Sequence, residues 1–237
     1  MKFKNDPIGF AIDDFNRFAN LDAQIIVQSD LCEDDILPVP YLFRSHHQMP
    51  AIEKMALHHC QGKVLDIGAG AGCHSIHLLK KGFEVTALEA SKGAADFLSH
   101  SKIPVIHTDF MNYSASTYDT ILMLMNGIGL AGSVNHLPAV LKHLSTLLNP
   151  GGIILLDSTD IQYMYEVEDG SIWIDLNAPY YGEMQFNMVY KGVESGWFPW
   201  LYIDPVRLAE ICNLSGFEIK ILSEGKNNHY LALLKKK

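Results

Sequence analysis

A glycine-rich turn constrains this chain more than any other stretch. An apolar run, Val64–Ile67, enters the turn Gly68–Gly72, and an amphipathic stretch, His74–Lys80, follows it. This pattern predicts a buried strand, a tight turn and the start of a helix. Glycine tolerates positive φ and lets the backbone approach a ligand closely, and a helix N-terminus offers free N–H groups. The turn suits an anionic or strongly hydrogen-bonding group, although an ordinary strand-to-helix turn shares the pattern.

A carboxylate follows the next predicted strand. The run Phe83–Leu88 is followed directly by Glu89, which lies 19 positions after Gly70. In a doubly wound sheet the first two strands are neighbours, so Glu89 should stand beside the glycine turn and could accept hydrogen bonds from a ribose diol. Cys73 stands where the G-x-G-x-x-G pattern of a dinucleotide fold has its last glycine. This spacing favours a smaller nucleoside over a pyrophosphate.

The stretch Val64–Gly72 resembles motif I of the class I S-adenosylmethionine (SAM) dependent methyltransferases, and Glu89 matches their ribose-binding acid. The resemblance continues through Asp109 and the turn Asn149–Gly152. It implies an α/β fold with a Rossmann-like doubly wound sheet, mostly parallel, with an antiparallel C-terminal strand. It also implies SAM as cofactor and S-adenosyl-L-homocysteine (SAH) as product. It does not identify the methyl acceptor.

The same resemblance implies which residues bind the cofactor. They are Asp66, Gly68, Ala69, Gly70 and Gly72 around the turn, Glu89 and Ala90 after the second strand, Asp109 and Phe110 after the third, Asn126 after the fourth, and Tyr41 and Arg44 from the N-terminal segment. In the family, an acid in the place of Asp109 reads the adenine amino group and the next apolar residue packs on the ring. The alternative for Asp109 is a helix cap or turn residue.

The two N-terminal residues have their own alternatives. Arg44 could pair with the SAM carboxylate, and Tyr41 could place its ring near the sulfonium. A surface arginine and a packed aromatic residue are the competing interpretations.

The length of 237 residues predicts one domain with additions. Residues 1–58 are expected to form a helical N-terminal cap, in which 1–30 are helical and Leu31–Tyr41 is irregular. Residues 159–203 are expected to form a β-rich insertion after the fifth strand. Three aromatic and β-rich runs in it are predicted to be short strands: Ser171–Leu176, Met184–Tyr190 and Trp197–Tyr202.

Composition argues against several partners. The formal net charge of −9 disfavours nucleic acid. Asn177–Tyr180 resembles the tetrapeptide with which amino-methylating DNA enzymes hold a flipped base, but that motif should follow the fourth strand, so we interpret it as an insertion loop. The longest apolar run, Thr120–Ala131, is too short to span a membrane. Four scattered cysteines without a C-x-x-C pair favour reduced thiols and a cytoplasmic protein.

Neither a metal site nor a catalytic residue is predicted from a motif. The pairs His46-His47 and His58-His59 lack the spacing of zinc ligands. A hydroxyl acceptor would need a general base, and His136 and Asp157 near strand ends are candidates that could equally be structural.

The leading interpretation is a SAM-dependent methyltransferase that acts on a small-molecule acceptor. A non-catalytic SAM-binding subunit that acts through a protein partner is the alternative, and an NAD(P) oxidoreductase is disfavoured by Cys73.

All three tryptophans, Trp173, Trp197 and Trp200, fall in the insertion. The insertion is therefore expected to form either a lid over the acceptor or a homodimer interface.

Overall fold

A computed structural model of the protein describes residues 3–167, 169–175 and 179–237. The helices are α1 Pro7–Phe18, α2 Val39–Leu42, α3 Ala51–His59, α4 Cys73–Lys80, α5 Lys92–His100, α6 Leu137–Thr146 and α7 Pro205–Leu214. The strands are β1 Gln24–Ser29, β2 Asp35–Pro38, β3 Lys63–Ile67, β4 Glu84–Glu89, β5 Val105–His107, β6 Tyr118–Met123, β7 Leu148–Thr159, β8 Glu183–Tyr190, β9 Val193–Glu194, β10 Phe198–Leu201, β11 Phe217–Glu224 and β12 His229–Lys236.

A seven-stranded sheet forms the centre of the described structure. Its order is β11-β12-β7-β6-β3-β4-β5, in which β3 to β7 are parallel and β12 is antiparallel to β7. Helices on both faces cover the parallel strands, which explains why β3 and β6 are buried along almost their whole length. The predicted doubly wound sheet with an antiparallel C-terminal strand is confirmed.

A second, antiparallel sheet lies at the carboxyl edge of the first. Its order is β10-β8-β1-β2, and β9 pairs with β8. Two of its strands come from the N-terminal segment and the rest from the insertion. The strands expected within Met184–Tyr190 and Trp197–Tyr202 are confirmed as β8 and β10.

The N-terminal segment differs from the expected helical cap. Helix α1 is present, but Gln24–Ser29 is strand β1, and the stretch expected to be irregular contains β2 and α2. Strand pairing is the reason: Ile26 pairs with Ile36 of β2 and with Val189 of β8, which lies more than 160 residues later. A short apolar run adopts the structure that its partner imposes.

One part of the insertion is not a regular strand. The run predicted from Ser171 onward forms only an isolated bridge between Ile172 and Glu166. Leu176, Asn177 and Ala178 lie outside the described residues, and these include half of the predicted loop Asn177–Tyr180.

Helix α1 docks on α5 through a close glycine contact. A Cβ added to Gly93 would lie 2.6 Å from Cα of Gly9. Asp6 caps α1 by accepting a hydrogen bond from the N–H of Gly9, and it also accepts bonds from the Ser91 hydroxyl and the N–H of Gly93. The N-terminal segment is thus fixed against the start of α5.

Among the described helices, none combines the length and apolar character that a membrane crossing requires.

Candidate functional site

The predicted glycine turn connects β3 to α4 and lies against the end of β4. Gly68, Gly70 and Gly72 have φ values of 71°, 56° and 79°, which only glycine adopts readily. The N–H of Gly68 donates to the carbonyl of Leu88. No atom of the described residues lies within 4 Å of where a Cβ of Gly70 would be, so this residue leaves open space for a ligand.

Glu89 stands beside this turn, as its spacing predicts. Its Oε2 accepts a hydrogen bond of 2.7 Å from the N–H of Gly70, and its Oε1 accepts one of 2.8 Å from the N–H of Ser91. Burial raises the pKa of the Glu89 carboxyl above its ordinary value, while these two N–H groups act to lower it. Each carboxylate oxygen keeps acceptor capacity beyond these bonds.

Asp66 lies at the end of β3 beneath the turn. It is buried, and its Oδ2 accepts a 2.6 Å hydrogen bond from the hydroxyl of Ser75 on α4. Burial raises the pKa of Asp66, and the neighbouring charge of His74 opposes this rise. This hydrogen bond connects β3, before the turn, to α4, after it.

Arg44 belongs to a buried charge network rather than to the protein surface. Its Nη2 lies 2.6 Å from Oε2 of Glu53, and His74 Nε2 lies 2.9 Å from the same oxygen. Its Nη1 donates to the carbonyl of Tyr41, and the guanidinium lies 4.0 Å from the centre of the Tyr41 ring. Several N–H groups of Arg44 are therefore already hydrogen-bonded, and only the remaining ones can bind a ligand carboxylate.

The network also fixes the charge of His74. Burial favours the neutral ring, but hydrogen bonds with Cys73 and Glu53 and the charge of Asp66 raise the pKa of His74 to about 10. The pKa of Glu53 is held below its ordinary value, because hydrogen bonds from His74 and Arg44 outweigh the effect of burial.

A cavity of about 1250 Å³ runs from the glycine turn to the second sheet. Of the predicted cofactor residues, its walls include Arg44, Asp66, Gly68, Ala69, Gly70, Glu89, Ala90 and Asn126. Pockets for one small ligand are roughly 300–1,000 Å³. The cavity therefore has room for a nucleoside and a second small molecule.

Four predicted residues do not line this cavity. Gly72 caps α4 and packs under Leu98 of α5. Tyr41 stacks on Arg44. Asp109 caps the short 3-10 helix that begins at Phe110, since it accepts a hydrogen bond from the N–H of Met111. Phe110 itself is buried in the main core. For Asp109 the geometry matches the helix-cap alternative, and its contact with adenine stays a prediction.

The two candidate bases lie in different environments. His136 is exposed, bonds to the carbonyl of Ala131 and is not a cavity residue. Asp157 is fully buried at the end of β7 and pairs with His229, which does line the cavity. No motif in the sequence marks His229 as a site residue, because only its pairing with Thr159 across β12 and β7 brings it to this edge.

The second sheet supplies the apolar end of the cavity. Met184, Phe186 and Met188 of β8 line it together with Phe198 and Trp200 of β10. Trp200 also packs on Gly129, since a Cβ there would lie 2.1 Å from the indole. Trp173 and Trp197, by contrast, are 75% and 56% exposed.

The histidine pairs show no metal-binding arrangement. The ring of His46 stacks on His77 at 4.0 Å, and His58 and His59 meet edge to face. Within the described ranges, no group of three or more His, Cys, Asp or Glu side chains is placed to hold a metal ion.

Comparison with known proteins places the chain in a family. A family model for a methyltransferase domain matches residues 41–220. A solved SAM-dependent methyltransferase from Bacteroides fragilis, in complex with SAH, is 38% identical with a TM-score of 0.92, and the match covers 99% of this chain and 96% of that one.

Two further matches cover less of the chain or share less of its sequence. The cypemycin N-terminal methyltransferase of a Streptomyces species is 33% identical over 102 residues, so the match spans 41% of this chain and 42% of that relative. The amino pentose methyltransferase CalS10 of Micromonospora echinaspora, solved with SAM bound, has a TM-score of 0.53 at 14% identity, covering 79% of this chain and 92% of that one, and shows the fold alone. On the family match over residues 41–220 and the full-length structural match, the chain belongs to the SAM-dependent methyltransferases.

Proposed function

We propose that this protein transfers the methyl group of SAM to a small, partly apolar acceptor. The observation that carries the proposal is the single cavity shared by the glycine turn and the second sheet. One end presents the polar groups that suit a nucleoside, and the other presents thioether and aromatic walls.

The polar end fits the cofactor. The position of Glu89 beside Gly70, at the carboxyl edge of the sheet, supports a role in accepting hydrogen bonds from a ribose diol. Arg44 lines the cavity, and we assign to it the pairing with the carboxylate of the cofactor, through the N–H groups that its buried partners leave free. When bound, SAM supplies a methyl group on a sulfonium, which is already an activated leaving group.

The task left to the chain is alignment of donor and acceptor. The walls from β8 and β10 suit this task, because they exclude water and hold an apolar body. The face of Trp200 could also hold a cationic amine. An acceptor compartment open to the cofactor end supports catalysis over a non-catalytic SAM-binding subunit. Dimerisation through the exposed Trp173 and Trp197 stays a prediction.

Calorimetric titration with SAM, SAH and NAD tests the cofactor assignment. We expect SAM and SAH to bind at micromolar or lower concentration and NAD not to bind. Micromolar NAD binding without SAM binding would overturn the assignment.

Release of SAH tests the acceptor. SAM-loaded protein is incubated with 2-phenylethylamine, tyramine and 2-phenylethanol, and with a short single-stranded oligonucleotide as a polyanionic control. We expect SAH release with at least one of the small acceptors and none with the oligonucleotide.

A further inference from the structure

The carboxyl end of β7 carries an acid–histidine pair that the proposed cofactor site does not use. Asp157 is 0% exposed, and its Oδ2 lies 2.8 Å from Nε2 of His229. Its Oδ1 accepts a hydrogen bond of 3.2 Å from the N–H of Gly127. Asp157 is therefore held between the turn after β6 and the first residue of β12, and it fixes the imidazole ring.

This geometry sets the tautomer of the ring. A carboxylate only accepts hydrogen bonds, so the neutral His229 ring holds its proton on Nε2 and leaves a lone pair on Nδ1. Within the described part of the chain, Nδ1 has no hydrogen-bond partner. The side chain is 27% exposed and lines the cavity together with Asn126, Thr159 and Phe186.

The other acid and histidine groups of the cavity are less suited to accept a proton. Asp6, Asp66 and Glu89 each accept hydrogen bonds from neighbouring N–H or hydroxyl groups. The pKa of His74 is raised to about 10, so at neutral pH this ring already carries its second proton. The acidic segment 33–35 is exposed. His229 is the cavity group that combines a fixed ring with a lone pair.

We propose that His229, oriented by Asp157, binds the methyl acceptor and takes its proton. This inference rests on the proposed function. The acceptor nitrogen or oxygen attacks the methyl carbon with its lone pair and forms the new bond. The sulfur–carbon bond breaks with its electron pair moving to sulfur, and the acceptor proton passes to Nδ1 of His229. The products are SAH, the methylated acceptor and an imidazolium, which the Asp157 carboxylate stabilises.

Nitrogen-15 spectra of the histidine rings test the orienting role of Asp157 without any acceptor. The SAH-loaded full chain is recorded at pH 8, and the ring of His229 is assigned by its loss in His229→Gln. We expect the proton on Nε2. In Asp157→Asn we expect it on Nδ1, because the amide oxygen stays with the N–H of Gly127 and the amide NH₂ then faces Nε2. A wild-type ring with its proton on Nδ1 overturns the proposal.

Turnover tests the proton transfer itself, with 2-phenylethylamine and 2-phenylethanol as acceptors. We expect His229→Gln and Asp157→Asn to lower kcat by roughly 10²–10⁴-fold, the usual worth of a general base, with SAH affinity within about twofold of wild type. His100→Gln, an exposed histidine at the end of α5, is the matched control and should keep wild-type turnover.

The two failures are distinguishable. Full turnover in His229→Gln overturns the role of His229 and leaves the proposed function standing. If the wild type binds SAH but methylates none of the acceptors, the acceptor class proposed above is wrong, and the spectra still decide whether His229 presents a free Nδ1.

Discussion

Glu89 both supports the glycine turn and faces the cavity, so its removal should affect the ligand more than the fold. Hydrogen bonds to a charged acceptor contribute about 1.5–3 kcal/mol, which corresponds to a roughly ten- to hundredfold change in affinity. We expect Glu89→Ala to weaken SAH binding by this factor, and Glu89→Gln, which keeps one acceptor oxygen, to weaken it less. Isothermal titration calorimetry measures both.

The control for this pair is Glu84→Gln, at the opposite end of the same strand, where the side chain is 72% exposed. It should bind SAH like the wild type. Wild-type affinity in both folded Glu89 variants would show that Glu89 does not contact the ribose.

The buried cluster around Glu53 makes stability depend on pH. The folded-state pKa of His74 is about 10, above its ordinary value of 6.5. A raised pKa adds stability that is complete below about pH 6.5 and is lost as pH rises through the folded value. We expect the free energy of unfolding, measured with urea from pH 6 to 9.5, to fall with pH more steeply in the wild type than in His74→Gln. Parallel curves would show that His74 is not charged in the folded protein.

At the scale of elements, the contact between α1 and α5 holds the N-terminal segment against the cavity. Asp6 and Pro7 line that cavity. Gly93→Ala would place a methyl group into the backbone of Gly9, where no side chain can move aside. Such overpacking costs about 1–3 kcal/mol. We expect Gly93→Ala to lower stability by this amount in urea unfolding and also to weaken SAH binding.

The matched control lies on the same helix. Ser99 is exposed near the end of α5, so Ser99→Ala should change unfolding by at most about 0.5 kcal/mol and leave SAH binding unchanged. A Gly93→Ala variant that loses stability but keeps full SAH affinity would show that α1 does not support the cofactor site.

Elements that carry local signals could be predicted from the sequence, and those set by distant partners could not. Strands β3 and β4, the turn and Glu89 follow from apolar runs and glycine spacing within 30 residues. The short apolar run of β1 does not by itself distinguish a strand from a helix, and it becomes a strand by pairing with β2 on one side and with the distant β8 on the other. His229 likewise gains its place from the register of β12 on β7, and spacing along the chain does not show that register.

Asp109 illustrates a different limit. Its position at a strand end is compatible with ligand binding and with helix capping, since the same carboxylate serves both. Only the hydrogen bond to the N–H of Met111 shows that capping takes place.

For the molecule as a whole, the cavity joins two sheets whose strands come from both ends of the chain. Strand β8 lies between β1 and β10 and buries Met184, Phe186 and Tyr190. The Tyr190 hydroxyl donates to Asp14 of α1. Shortening the insertion from residue 169 to 197 would therefore remove a central strand, so the insertion cannot be treated as a detachable lid.

This arrangement predicts that the two sheets unfold as one unit and that SAH stabilises both. Of the three tryptophans, Trp200 lies in β10 of the second sheet, so the fluorescence of a Trp173→Phe/Trp197→Phe variant reports that sheet, while far-ultraviolet circular dichroism reports the whole chain. A ligand at a hundred times its Kd adds about 2.7 kcal/mol of stability. For a chain of this size each kcal/mol raises Tm by roughly 2–4 °C.

We therefore expect one thermal transition, seen at the same temperature by both probes, that SAH raises by roughly 5–10 °C and NAD leaves unchanged. Because Asn126 and Thr159 at the edge of the central sheet line the same cavity as Phe186 of the second sheet, the ligand should shift both signals equally. A tryptophan transition that comes first and ignores SAH would show that the second sheet folds independently. The cavity would then be a loose contact between two units, and the acceptor walls would not be positioned by the cofactor site.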